Sequence, residues 1–175
     1  MLKSVIGFMF IVIVLSIIVQ LEIRFKNRII VGRHMKEWIK YLLITLIFGG
    51  ISFVLGPILW TSAPELIPSP AQLPYFMLLS AVEALFFGFG IAFLLFGWPI
   101  MKKISNPANK TTAIAFIALC WLAISWWSHD NLHRHNGMDL TGLLFIEYGF
   151  HLTLIIATLI LMIYFMQEYK LSKTV

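Results

Sequence analysis

Charge is scarce in this chain: Asp, Glu, Lys and Arg make up 12% of its 175 residues, against 60% that are hydrophobic. Soluble domains carry about twice that charged share, so a water-exposed globule is excluded and a bilayer is the expected solvent. Cysteine is nearly absent. Cys120 stands alone, which rules out an intrachain disulfide or a cysteine-type zinc site and leaves packing as its expected role. The apolar runs also lack two-residue alternation, so they do not read as barrel strands, and an open sheet would leave unpaired backbone groups in lipid. The formal charge of +5 does not mark a nucleic-acid binder, because the basic residues sit in short blocks between apolar runs rather than along one solvated face.

What remains is long apolar sequence, with a mean hydropathy of +0.90. About 20 apolar residues cross a hydrocarbon layer as a helix, and five runs qualify: 4–21, 41–62, 73–101, 111–128 and 140–167. The expected fold is all-α, a polytopic transmembrane bundle of five spans forming a single membrane domain over 1–175. No small-x-small cleavage site follows the first run, where Val19, Gln20, Leu21 and Glu22 stand, so it reads as an uncleaved helix. The first loop holds Arg24, Lys26, Arg28, Arg33, Lys36 and Lys40, whereas Thr61 to Gln72 holds no Lys or Arg. The positive-inside rule then places the first loop in the cytoplasm and the N-terminus outside it. Eleven of the thirteen basic residues fall inside on this topology, all but Lys3 and Arg134.

Between the first two spans, Arg24 to Lys40 mixes bases with Phe25, Ile29, Ile30, Met35, Trp38 and Ile39, a pattern that fits an interfacial helix as well as an ordinary topogenic loop. Pro57, Pro64, Pro68, Pro70 and Pro74 predict an irregular second connection, and Pro99 a kink near the end of the third span. Trp121, Trp126 and Trp127 read as an aromatic belt at the membrane boundary.

The polar residues within the spans are few and gathered. Four of the five histidines lie between His129 and His151. His129 and His133 are four apart, as are Glu147 and His151, so each pair projects from one helix face provided the fourth span continues past Ser128. At 1.5 Å per residue, Glu83 lies roughly 15 Å below Leu73, and Glu147 and His151 roughly 10 and 16 Å below Leu140. On the predicted topology all of these occupy the extracytoplasmic half of the bilayer, where the fourth span delivers His129 and His133. Ionisable groups in hydrocarbon point to partnership or function.

The leading expectation is therefore an integral membrane metalloprotein with His129, His133, Glu147 and His151 as ligands and Glu83 and Asp130 as ligands or supporting groups. Copper, iron and zinc all accept imidazole and carboxylate donors, and a b-type haem held by histidine is a variant. Such a site is expected to suit an oxidoreductase acting on a small or lipid-soluble substrate. Two other classes fit the same sequence: a non-catalytic small subunit of a larger membrane complex, and a proton- or ion-coupled carrier lined by Glu83, Glu147 and His151. The lipid bilayer is the expected partner, with other membrane subunits as further candidates and no nucleic acid.

Overall fold

The computed structural model describes residues 37–105 and 109–172. The first predicted span, most of the basic first loop and His34 lie outside these residues. The described chain is helical, with no strand among the described residues. Its elements are α1 (Glu37–Leu59), a 3₁₀ turn (Pro64–Leu66), α2 (Leu73–Phe96), α3 (Trp98–Ile104), α4 (Lys110–Asn136), α5 (Leu140–Ile146), a π-helical turn (Glu147–His151) and α6 (Leu152–Ser172). Four helical stretches are long and apolar enough to cross a membrane: Trp38–Leu59, Leu73–Phe96, Lys110–Asn136 and Leu140–Leu171.

Local chemistry sets the ends of these helices. Pro74 lies in the first turn of α2, where a missing N–H costs nothing. Asn109 and Thr112 open α4 with reciprocal bonds: the Asn109 side chain accepts from the Thr112 N–H, and Thr112 Oγ1 accepts from the Asn109 N–H, both at 3.1 Å. Such a capping box satisfies two donors that a helix start leaves unpaired. Asp139 caps α5 by accepting from the Thr141 N–H at 3.1 Å. Pro99 does not kink a continuous third span. The helix stops at Phe96, turns at Gly97 and restarts at Trp98 with Pro99 in its first turn, since proline breaks a helix interior but suits a helix start.

Helix α4 is the hub. It packs against α2 on one side and α6 on the other, while α1 packs mainly on α2. The α4–α5 connection is three residues long, so the two helices are antiparallel neighbours, and Gly137 adopts φ +52° there. A side chain at Gly137 would also run into Ala63 and Glu65 of the connection between α1 and α2. That connection is fastened across the end of α4: the Ala63 N–H donates to the Arg134 carbonyl at 2.8 Å, and His135 Nδ1 to the Thr61 carbonyl at 2.8 Å. The proline-rich loop and the end of α4 thus share one end of the bundle.

The fourth span continues two turns past Ser128 because its last residues are held by partners on neighbouring elements. One group of buried residues comprises Trp60, Phe87, Ile91, Ile124, Trp127, Leu132, Ile146 and Phe150. The aromatic belt expected of Trp121, Trp126 and Trp127 is a correction. Trp127 is 2% exposed and packs between Trp60 and Phe87, and Trp121 is half-buried; only Trp126 faces outward. At about 100° per residue, positions 121, 126 and 127 point in three different directions around the helix.

The α1–α2 crossing depends on close backbone approach. A Cβ on Gly88 would overlap the Thr45 carbonyl and lie 2.7 Å from the Gly49 nitrogen. Backbone cannot yield as a flexible side chain can, so Gly88→Ala should destabilise the bundle by about 1–2 kcal/mol through overpacking. Denaturant titration in detergent reads this directly; an unchanged midpoint would show that the crossing is looser than described.

Candidate metal centre

The site is built from the C-terminal turns of α4 and the π-helical turn. On α4, His129 and His133 form one stripe; Asp130 and Arg134, one residue further round, form the next. The imidazole stripe meets His151 across the seam with α6. The ring centroids of His129 and His133 are 4.6 Å apart, those of His129 and His151 4.9 Å, and those of His133 and His151 5.6 Å. One ligand nitrogen from each of the three rings can be chosen so that all lie within 4.8 Å of one another. The three histidines are close enough to hold a single metal ion.

The hydrogen bonds fix how the rings are presented. His151 Nδ1 lies 2.7 Å from Glu147 Oε2; a carboxylate accepts, so Nδ1 carries a proton and Nε2 faces the cluster. This carboxylate–imidazole pairing orients histidine ligands in metal sites. His129 Nε2 is 2.7 Å from His151 Nε2, so the N–H of one ring meets the lone pair of the other. His129 Nδ1 is buried without a partner. An ion held by the triad would take the place of the His129–His151 hydrogen bond.

The wide turn bearing Glu147 and His151 is held by a partner of its own. Its i→i+5 pattern is evident in the Leu152 N–H donating to the Glu147 carbonyl, and such turns within α-helices are frequent at functional sites. Thr153 Oγ1 donates to the Gly149 and Phe150 carbonyls at 2.8 and 3.0 Å and accepts from Trp121 Nε1 at 3.0 Å. Trp121 on α4 thus anchors the turn that supplies His151. Sequence reading gave Trp121 a different role, in an aromatic belt, and passed over Thr153. The only available signal was a threonine two residues after His151 in an apolar run, which periodicity does not distinguish from surface.

Asp130, on the adjacent stripe of α4, and Glu83, on α2, lie outside the triad. Asp130 Oδ2 is 3.1 Å from Arg134 Nε, and Glu83 on α2 faces this pair across the interface. Arg134 also donates to Asn131 Oδ1 at 3.3 Å, and Asn131 Nδ2 to the Trp127 carbonyl at 2.6 Å. These groups form a polar joint between α2 and α4, adjacent to the histidine triad through the Asp130 backbone. His135 faces the Thr61 carbonyl and takes no part in the triad. No protein-family model, curated protein or solved structure matches the chain.

Proposed function

We propose that the chain is an integral membrane metalloprotein in which His129, His133 and His151 hold one transition-metal ion and Glu147 orients His151. The observation that carries this reading is the convergence of three imidazole nitrogens from two helices within 4.8 Å, with the third ring held by a carboxylate at 2.7 Å. Three protein ligands leave a coordination position free for water or substrate, the pattern of catalytic rather than structural sites. All-imidazole ligation suits copper, iron or zinc. A redox-active ion there would make the chain an oxidoreductase. Haem fits less well, because His129 and His151 meet nitrogen to nitrogen at 2.7 Å, with no room for a macrocycle between them. Elemental analysis of detergent-purified protein tests the reading: one copper, iron or zinc per chain is expected, and a metal-free protein that takes up none on dialysis contradicts it.

The charge asymmetry of the loops supports an extracytoplasmic position for this end of the bundle. Met138 is exposed in the α4–α5 turn, and Lys103 is exposed at the opposite end, on α3. In oriented membranes, Met138→Cys should react with an impermeant maleimide added from outside while Lys103→Cys stays protected. The reverse pattern would invert the topology.

A further inference from the structure

The surroundings of the triad also bear on what reaches it. On α4, Trp126 and His133 are seven residues apart, almost two full turns, so they share one line along the helix. Trp126 is 46% exposed, and this line is an outward edge of α4. Across the seam, Leu144, Phe145, Tyr148 and Leu152 are all exposed, while the His151 and Glu147 side chains are 36% and 58% exposed. The inner side is closed by Phe150, whose ring centroid lies 5.7 Å from that of His129. The bundle end is crossed by the 61–66 connection, fastened to Arg134, His135 and Met138. The triad is thus covered toward the core and strapped at the helix end, and its open side is a lateral seam with an apolar and aromatic rim.

Depth agrees with this reading. About 20 residues span the hydrocarbon, so an α4 span counted from Thr111 leaves the hydrocarbon near Asp130. His129 and His133 then sit at the boundary with the headgroups, the level at which exposed Trp126 and Tyr148 are stable and an exposed Glu147 carboxylate reaches water.

We infer that the metal site opens laterally into the bilayer between α4 and the π-helical turn, and that its ligand is a lipid-soluble molecule. An oxygen or nitrogen donor on that molecule takes the free coordination position while its apolar body lies in the seam beside Trp126 and Tyr148. This inference rests on the metal reading for the ion but not for the seam, and the test separates the two. Spin labels at Trp126→Cys and Tyr148→Cys, in a Cys120→Ala background reconstituted into nanodiscs, should collide more often with oxygen than with a water-soluble nickel chelate. In metal-loaded wild-type protein, neutral 1,10-phenanthroline should strip the ion at least tenfold faster than its membrane-excluded disulfonated diphenyl derivative. Nickel-dominated collisions at both labels, or equal stripping rates, would overturn the inference by showing an aqueous approach. Labels shielded from both colliders would overturn it in favour of a protein partner on the seam. If the protein takes up no metal, the metal reading fails, and the collision ratio still decides whether the seam faces lipid.

Discussion

His129→Ala is expected to abolish metal retention while the protein still inserts and remains helical. His129 is the central ring of the triad: its nitrogen meets His151 at 2.7 Å and its ring lies 4.6 Å from that of His133. Its removal leaves two imidazoles on different helices with nothing between them to fix their separation. Single histidine pairs bind transition metals far more weakly than closed sets, so the occupancy surviving purification should fall from one ion per chain to none. Glu147→Gln is a graded companion, because an amide still bonds His151 but no longer raises its basicity; a 10- to 100-fold loss of affinity is the expected size for a residue in this position. His135→Ala serves as the control, since that ring pairs with the Thr61 carbonyl and should leave the metal content unchanged. Competition with a coloured chelator measures all three. Equal metal loss in the His135 variant would mean that the bundle end, rather than the triad, was being probed.

The second large effect is at Glu83, and it falls on stability. Glu83 lies beside Asp130 across the α2–α4 interface. Glu83→Gln keeps the shape and supplies N–H donors toward that carboxyl, so fold and metal content should both be retained. Glu83→Leu puts an apolar side chain against the half-buried ion pair of Asp130 and Arg134 and should destabilise the bundle by about 1–2 kcal/mol, the cost of leaving a partly buried polar group short of a hydrogen bond. Thermal unfolding in detergent separates the variants. If Glu83→Gln instead lost the metal with its fold intact, Glu83 would be acting on the ion.

These two outcomes trace what the sequence could convey. Four of the five expected spans have counterparts among the described helices, because hydrocarbon thickness and charge spacing are one-dimensional quantities, and the four-residue spacings 129/133 and 147/151 identified the rings that converge. Periodicity gives the stripes on each helix. It could not say which helix each stripe would meet. Glu83 has nearly the depth of the histidines, yet it faces Asp130 on the adjacent stripe of α4, a difference of one residue's rotation that depends on helix packing. Glu147 was legible as a member of the site, but its hydrogen bond to His151 Nδ1 gives it the task of holding a ligand. The π-helical turn had no sequence signature at all; it rests on Thr153 and Trp121, which lie 32 residues apart. The aromatic belt failed for a simpler reason, because counting tryptophans near a boundary ignores which face each occupies.

The central claim is that three imidazoles from α4 and the π-helical turn hold one ion. X-ray absorption at the metal edge of the loaded protein counts them most directly. The account predicts a first shell of nitrogen and oxygen donors with scattering from three imidazole rings in the wild type, falling to two in His133→Ala. A wild-type shell with fewer than three imidazoles, or one unchanged by His133→Ala, would contradict it.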